Sequence, residues 1–326
     1  MSDSLDPSLR AGGALALAGE WGLIRALGAD AATFLQGQLT NDVARLGPGA
    51  ACLAGYCSAK GRLLASFVVV RPAADEFLLA CSADLLPATL KRLSMFVLRA
   101  KCRLSDASAE RAPWGLAGAT AADWLGGAMP AAAWQVAAHG GGHAIRLPDA
   151  PVAPVAPVAP DAPGVPRLLW LAAPDAAPPP LPALSADAWA WLEVHSGIAR
   201  IVGATVDQFV PQMVNFELTA GVDFHKGCYP GQEVVARSQY RGTLKRRMHL
   251  FTSSAPLAPG EEIFHSDDPG QPAGSVVLAA SHAGRHAALV SLKTAALDHG
   301  TLQAGAGQAV LTPRPLPYAV PNLAEA

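Results

Sequence analysis

Long apolar runs and an excess of charge of either sign are both missing from this sequence. No run approaches the ~20 residues needed to cross a bilayer, and 24 basic against 26 acidic residues leave a net charge of −2. A balance so close to neutral gives no global attraction to nucleic acid or to an anionic membrane. No basic stretch precedes the Ala/Leu run near the N-terminus, so we predict no secretion signal and a cytoplasmic protein.

Paired cysteines are also missing. The five cysteines form no C-x-x-C pair and no His-rich cluster accompanies them, which argues against a disulfide framework and against a structural zinc. Four stand in apolar or strand-like surroundings and are predicted to be inert: Cys52, Cys57, Cys81 and Cys102. Cys228 is the exception.

Short strands and helices alternate along the first half of the chain. Residues 21–28 are typical of a strand, and Asp30 stands where it would cap a short helix. Residues 62–72 and 76–82 resemble the two arms of a hairpin, and residues 83–100 carry leucines at helical spacing. Further strands are predicted near 113–118, 133–138 and 143–147. This mixture predicts an α+β body with antiparallel sheets.

A proline-rich stretch interrupts this pattern. PVAPVAPVAPDAPGVP, residues 151–166, repeats with a period of three, and such a density of proline favours extended polyproline geometry. We interpret it as a spacer or a surface loop. A short strand at 168–172 separates it from a second proline-rich stretch.

These patterns divide the chain into four parts. Residues 1–147 form an α+β region, residues 148–183 a Pro/Ala-rich insert with one short strand, and residues 184–241 a continuation of the α+β region. After Gly242, many short strands are separated by Gly, Pro and Asp turns. This spacing predicts a small closed β-barrel over residues 242–326.

One helix carries a tryptophan in an unusual position. Ser185 starts the helix and Gly197 can end it. At helical spacing, Trp189 shares its face with Glu193 and Ser196, which places it toward the polar flank. An aromatic side chain there either packs at a boundary or serves as a stacking platform for a planar ligand.

The stretch with the most chemistry is HKGCYPGQEVVARSQYRG, residues 225–242. Cys228 lies between two glycines, and Lys226 and His225 are close enough in sequence to favour the thiolate form. Gln232 and Glu233 offer hydrogen bonds just beyond the turn. This cluster suits a thiol beside a polar planar ligand, although a tight turn whose cysteine only packs fits the same spacing.

Basic residues are concentrated after this turn. Six cations stand against the single acid Glu233: Lys226, Arg237, Arg241, Lys245, Arg246 and Arg247. Such a strip could hold a polycarboxylate tail or a phosphate, form a solvated face, or contact nucleic acid. The lack of interleaved aromatic residues weakens the case for single-strand binding.

The segment FVPQMVNFELTAGVDFHKGCYPGQEVVARSQYRG resembles the YgfZ-type folate-binding proteins, which are relatives of the glycine-cleavage aminomethyltransferase (T-protein). The K-G-C-Y-x-G-Q-E core is intact from Lys226 to Glu233. The resemblance extends to FLQGQLTNDV (34–43), YCSAKGR (56–62), the R-G-x-x-K-R of 241–246 and PLPY (315–318). It covers nearly the whole chain apart from the proline-rich insert.

The resemblance implies a ring-like, multi-domain T-protein fold whose central cavity binds tetrahydrofolate. It also implies a role in maturing or maintaining iron–sulfur proteins and, through them, in tRNA modification. The family's folate-binding tryptophans fall on Trp21 and Trp189. We further expect Tyr229, Gln232, Glu233 and Arg237 to contact folate, with Cys228 and Lys226 as the candidate catalytic pair. Partners would be iron–sulfur enzymes or assembly factors, and direct tRNA binding stays open.

An acid that aminomethyl transfer requires is missing. From Lys60 to Val70 the chain contains no Asp or Glu, and Ala65 and Ser66 stand about where the transferase carboxylate is expected. A serine hydroxyl cannot replace it as a base near neutral pH. We therefore expect a folate-dependent accessory protein rather than an aminomethyltransferase. Three alternatives remain: a folate-dependent aminomethyltransferase-type enzyme, a Cys228-dependent enzyme for one-carbon or sulfur/iron transfer, and a non-catalytic nucleic-acid-binding protein.

Overall fold

The computed structural model describes residues 6–151, 164–173, 175–240, 244–305 and 309–321. The helices are α1 (Pro7–Ala11), α2 (Ala31–Gln36), α3 (Leu86–Ser94), α4 (Gly118–Leu125), α5 (Ala186–His195) and α6 (Gln232–Tyr240). The first ten strands are β1 (Gly13–Ala16), β2 (Trp21–Leu27), β3 (Ala50–Cys57), β4 (Leu63–Ala73), β5 (Glu76–Ser82), β6 (Arg103–Asp106), β7 (Pro113–Ala117), β8 (Val136–His139), β9 (Gly142–Pro151) and β10 (Gly164–Ala172). The remaining strands are β11 (Arg246–Ser253), β12 (Glu262–His265), β13 (Asp268–His282), β14 (Arg285–Lys293), β15 (Leu302–Ala304) and β16 (Ala309–Arg314).

The first sheet has five antiparallel strands in the order β3-β4-β5-β2-β6. The predicted strand at 21–28 and the predicted hairpin at 62–82 are both confirmed, since β4 and β5 pair up to Ala73 opposite Glu76. Strands β4 and β5 are apolar on both faces, as expected for strands buried on both sides. This sheet forms one wall of the site described below.

The second sheet has the order β1-β7-β10-β9-β8, also antiparallel. Strand β10 is its middle strand and buries Leu168 to Leu171 completely. The short strand predicted inside the insert 148–183 is therefore part of the second sheet's core. Residues 152–163, which carry most of the proline repeat, lie outside the described residues. The ends that they connect are paired, with Pro151 opposite Gly164.

Six strands close into the predicted C-terminal barrel, in the order β11-β14-β13-β12-β15-β16. Strand β11 pairs with β14 on one side and with β16 on the other, which completes the closure. The barrel has its own apolar interior, which includes Phe251, Ile263, Val276 and Val290. The expectation of an α+β body with antiparallel sheets and a small C-terminal barrel is confirmed.

Helix α5 packs against the second sheet and the barrel. Its start at Ser185 is confirmed, because the Ser185 hydroxyl accepts a hydrogen bond from the backbone N–H of Ala188 at 3.1 Å. After the helix, Gly197 has a φ of +69°, as glycine permits at a helix end. The side chains of the PLPY segment contact this glycine, and Tyr318 donates to its carbonyl at 2.7 Å.

Two local predictions were wrong. Asp30 precedes α2, but its carboxylate accepts from the backbone N–H of Lys101 at 2.7 Å rather than capping the helix. The helix expected over 83–100 is a 3-10 turn followed by α3, which ends at Ser94. Leu98 then takes a left-handed φ of 45°, which helical geometry does not allow.

Candidate functional site

A small cavity lies between the first sheet, β10 and the segment after α5. We call it the indole cavity; its polar and aromatic lining residues are Trp21, Ser66, Phe67, Trp134, Arg167, Glu193 and Arg200. Its volume is about 30 Å³, which is space for roughly two water molecules. The remaining lining is largely aliphatic and includes Leu53, Val68, Leu147 and Ile198.

An ion pair between Glu193 and Arg200 forms one wall of the indole cavity. Arg200 donates to both carboxylate oxygens of Glu193, Nε to Oε1 at 2.7 Å and Nη2 to Oε2 at 3.0 Å, and Nη1 donates to Ser82 Oγ at 2.9 Å. Burial disfavours the cation, but the charge and hydrogen bonds of Glu193 outweigh it, so the pKa of Arg200 is raised. The guanidinium also lies 5.1 Å from the centre of the Trp21 ring. The pair therefore packs against the indole of Trp21.

Arg167 is a buried cation on the middle strand of the second sheet. It is 3% exposed, and its Nη1 donates to the carbonyl of Leu192 in α5 at 3.0 Å. Burial lowers the pKa of Arg167 to about 10, although the charges of Glu193 and Asp149 partly oppose this. Its Nε has no hydrogen-bond partner among the described residues. The site therefore contains a guanidinium that is incompletely satisfied.

The two predicted indoles are both buried, at 7% exposure for Trp21 and 3% for Trp189. The placement of Trp189 on a polar flank needs correction, because Glu193 and Ser196 on the same face are buried as well. Trp189 lies under the guanidinium of Arg167 at 5.3 Å and over Gly115 of β7. A Cβ at Gly115 would lie 2.7 Å from the ring, so this glycine allows the indole to reach the sheet.

Trp134 lines the same cavity in a strained backbone conformation. Its φ is 68°, which is uncommon for a bulky residue and costs of order 1–3 kcal/mol. Its N–H donates to the carbonyl of Arg146, and its own carbonyl accepts from Ala51 of β3. These bonds fix an aromatic ring at the junction of the two sheets.

Ser66 occupies the region where the transferase acid was expected. It is buried, lines the cavity, and its hydroxyl oxygen accepts from the backbone N–H of Ile201 at 2.9 Å. This bond ties β4 to the segment that carries Arg200. The acid facing the cavity is Glu193, which comes from α5 instead of β4.

A larger cleft lies on the other side of the ion pair. We call it the outer cleft; it has a volume of about 410 Å³ and is lined by α5, the barrel residues Pro259, Leu278 and Ala279, and the acids Glu20 and Asp84. Glu193 and Arg200 line both spaces. Movement of this one pair would therefore join the outer cleft to the indole cavity.

Cys228 lies on an exposed turn that lines neither the indole cavity nor the outer cleft. Gly227 and Cys228 are exposed between two buried anchors, Lys226 and Tyr229. Gly231, at φ +77°, packs on the turn between β3 and β4, where a Cβ would lie 2.3 Å from the carbonyl oxygen of Ser58. The YCSAKGR and KGCYPGQE motifs thus contact each other. Cys228, which was expected beside a polar planar ligand, therefore lies outside both of these spaces.

Lys226 has a different environment from the one predicted. Its Nζ donates to the carbonyls of Gln36 and Leu39, at 2.5 and 2.6 Å, where α2 ends. Burial lowers the pKa of Lys226 to about 8, and the charges of Asp42, Asp223 and Cys228 partly oppose this. The ammonium group therefore anchors the motif to α2 while remaining within electrostatic range of the thiol.

The other motif residues predicted to bind folate lie on or beside α6. Tyr229 is buried under the Lys226 ammonium, 5.1 Å from the ring centre, and Gln232 is half-buried at the start of the helix. Glu233 and Arg237 are exposed and bind each other at 2.8 Å, one helical turn apart. None of these four residues lines the indole cavity or the outer cleft.

Within the part of the strip that the structure describes, the basic residues do not form one surface. Arg247 is buried in an ion pair with Glu217, and Arg246 donates to the carbonyl of Ala273. Lys226 is buried as described above, and Arg241 lies outside the described residues. The cations that seemed contiguous in sequence therefore have separate structural partners.

Three polar residues of the cavity were missed by sequence reasoning: Arg167, Glu193 and Arg200. Arg167 could have been identified from the sequence, because an arginine in the apolar run VPRLLWLA is unusual for a buried strand. Glu193 had been noted beside Trp189 without a function. Arg200 could not be identified from the sequence, since it lies seven residues after its partner Glu193 and beyond the end of α5.

The fold defines the class of protein. The structure matches the glycine cleavage system aminomethyltransferase T from Bartonella henselae over 94% of this chain and 86% of that chain, with a TM-score of 0.67 at 15% identity. A family model described as the GCVT N-terminal domain matches residues 11–147. The molecule therefore has a T-protein-like fold.

The sequence comparison defines the family. The tRNA-modifying protein YgfZ of Edwardsiella ictaluri is 33% identical, with 74% of this chain and 71% of that protein covered. The YgfZ proteins of Sodalis glossinidius and Klebsiella pneumoniae are each 30% identical, with 75% of this chain and 73% of each protein covered. The chain belongs to the family of the tRNA-modifying protein YgfZ, as its motifs indicated.

Two further properties bear on the site. Within the described ranges, no helix has the length and apolar character that a membrane crossing requires. Across those same residues, His, Cys, Asp and Glu side chains are nowhere grouped in threes or more so that they could hold a metal ion.

Proposed function

We propose that this protein binds tetrahydrofolate at the indole cavity and the outer cleft, and that it thereby supports the maturation or maintenance of iron–sulfur proteins and tRNA modification. The observation that carries the folate assignment is the pair of buried indoles, Trp21 and Trp189, each with a guanidinium within 5.3 Å of its ring. Faces that accept a planar cation also suit a flat, polar heterocycle.

The chemistry of the cavity supports a pterin in particular. The aminopyrimidinone edge of a pterin carries N–H donors, and Glu193 is a buried carboxylate in the cavity wall. A carboxylate accepts two parallel N–H bonds, as Glu193 already does from Arg200. A ligand edge of the same geometry can therefore take the place of the Arg200 guanidinium.

The volumes define where the ligand would lie. The indole cavity at about 30 Å³ is too small for a bicyclic ring, whereas the outer cleft has about 410 Å³. Because Glu193 and Arg200 line both, we propose that the ring occupies the space created when Arg200 moves. The tail would then extend along the outer cleft toward solvent.

A calorimetric titration with tetrahydrofolate tests this assignment. Trp21→Leu and Trp189→Leu should each weaken binding about five- to tenfold, because stacking on an indole contributes on the order of 1 kcal/mol. Trp124→Leu is the matched control, since that indole contacts His139 and Trp170 in a separate cluster. Equal affinity in all four proteins would contradict the proposal.

The role of Cys228 belongs to the second half of the proposal. Cys228 is exposed, whereas burial raises the pKa of Cys57 and Cys81 to about 12 and so disfavours their thiolates. One thiol supplies too few ligands for a complete cluster. We therefore propose that Cys228 acts toward an iron–sulfur enzyme or assembly factor that supplies the remaining ligands.

A strain carrying Cys228→Ser tests this step. The strain should lose tRNA thiolation and iron–sulfur enzyme activity, while the purified variant keeps its tetrahydrofolate affinity because Cys228 lies outside both spaces. Cys102→Ser, a change at a half-buried cysteine, should leave the strain unaffected. A Cys228→Ser strain with full activity would rule out a role for the thiol.

The arrangement does not favour aminomethyl transfer. Ser66 stands where β4 would supply the transferase acid, and its hydroxyl oxygen already accepts from Ile201. A hydroxyl has a pKa far above the working pH of a general base. The residues present support binding of the folate rather than activation of its one-carbon nitrogen.

A further inference from the structure

Hydrogen-bond donors without partners are concentrated around the indole cavity. Among the described residues, Arg167 Nε and Trp21 Nε1 have no acceptor, and neither does Nε1 of Trp189, whose ring lies under Arg167. All three side chains are more than nine-tenths buried. A buried donor without an acceptor destabilises the folded state, so three around one cavity require an explanation.

The acceptors in the cavity wall are already used. Both carboxylate oxygens of Glu193 accept from Arg200, and Ser66 Oγ accepts from Ile201. A ligand edge that replaces Arg200 on Glu193, as proposed above, keeps these oxygens occupied, so the wall still offers N–H groups in excess of oxygens. Its chemical complement is a ligand atom that accepts hydrogen bonds.

We propose that Arg167, together with the Trp21 N–H, selects a heterocycle with a carbonyl oxygen on its pyrimidine ring over one with an amino group there. This inference rests on the proposed folate site and adds the determinant of its specificity. A ring carbonyl accepts from the guanidinium, whereas an amino group would present a further donor and leave Arg167 unpaired.

The depth of Arg167 favours the ring carbonyl over the glutamate carboxylates of the folate tail. Arg167 lies on the middle strand of the second sheet, is 3% exposed and contacts Trp189. A tail carboxylate that reached it would have to be stripped of water, which costs several kcal/mol. A neutral carbonyl carries a much smaller desolvation cost.

The experiment compares two ligands that differ at one ring position. Folic acid and its 4-amino counterpart are titrated calorimetrically at pH 7, where both rings are predominantly uncharged, against the wild type, Arg167→Met and Arg167→Lys. We expect the wild type to prefer the oxo compound roughly 10- to 100-fold. In Arg167→Met this ratio should fall to near one, while thermal unfolding shows that the variant is folded.

Each outcome decides the matter. Equal binding of both compounds by the wild type, or a ratio unchanged in Arg167→Met, overturns the role of Arg167 while the folate site stands. Should Arg167→Met fail to fold, the ratio of the affinities for the oxo and the amino compound is compared between Arg167→Lys and the wild type instead. p-Aminobenzoyl-glutamate, which represents the folate tail without the ring, is the third probe. If its affinity depends on Arg167, the guanidinium binds the tail and the inference about the ring carbonyl is wrong. Tetrahydrofolate binding without binding of either folic acid or its 4-amino counterpart overturns this inference alone, and binding of none of the three together with no binding of tetrahydrofolate overturns the folate proposal as well.

Discussion

The Glu193–Arg200 pair gives the most demanding prediction about the site. The pair is largely buried, with side-chain exposures of 8% for Glu193 and 13% for Arg200. Glu193→Gln keeps the shape of the side chain but leaves two guanidiniums, Arg167 and Arg200, without their nearest compensating charge. Removing one partner of a buried pair costs about 3–5 kcal/mol, and we expect the free energy of unfolding to fall by that amount.

The double variant separates charge from packing. Replacing both partners, as Glu193→Gln with Arg200→Met, removes the Arg200 charge and leaves only Arg167 uncompensated, so the double variant should cost less than the sum of the two single variants by about 2 kcal/mol or more. Urea unfolding followed by circular dichroism measures all four corners of the cycle. Glu233→Gln is the control, because its pair with Arg237 is exposed and should contribute less than about 0.5 kcal/mol. A coupling energy near zero would show that the pair is not the buried electrostatic unit described here.

Two further predictions concern stability. Burial, together with the charges of Arg285 and Arg314, lowers the pKa of His195 to about 4 although its bond to the Trp191 carbonyl opposes this. Between that value and the ordinary 6.5, the unfolded chain binds the additional proton, so stability falls as the pH drops through this window. From pH 7 to pH 5, the free energy of unfolding should fall by about 2 kcal/mol because of His195. His195→Gln should abolish this fall, whereas a change at the exposed His225 should not. An equal fall in His195→Gln would contradict the assignment. Replacing residues 152–163 with Asn-Gly should raise the free energy of unfolding by about 1 kcal/mol. The reason is that Pro151 and Gly164 are paired, so a shorter connection between them costs less entropy. A decrease of several kcal/mol on urea unfolding would show that the repeat contributes to the core.

Much of the fold could be predicted from local patterns. Strand β2, the β4–β5 hairpin, the start of α5 at Ser185 and the barrel all follow from periodicity and turn residues. Strand β10 was predicted only as a short strand within an insert, because low-complexity proline-rich sequence precedes and follows it. Its place in the middle of the second sheet could not be predicted from that pattern. Helix α6 was missed because the glycines and proline before it suggested a continuous turn.

The site could be predicted only in part. Trp21 and Trp189 were identified from the family resemblance, and both belong to the region of the indole cavity. The polar network between them depends on tertiary contacts: Arg167 comes from the second sheet, Glu193 from α5 and Arg200 from the following loop. No local pattern records that these three side chains meet. Tertiary contacts also decide the role of Lys226. The sequence placed it near the thiol of Cys228, but only the fold shows that its ammonium group donates to the carbonyls of Gln36 and Leu39.

Hydrogen–deuterium exchange with and without tetrahydrofolate tests the central claim most directly, because it locates the ligand on the chain. We predict protection in α5, in residues 198–203 and in the part of β4 around Ser66, all of which border the indole cavity or the outer cleft. The motif turn around Cys228 and strands β15 and β16 should exchange at unchanged rates. Protection confined to the motif turn and α6, or no protection anywhere, would contradict the account.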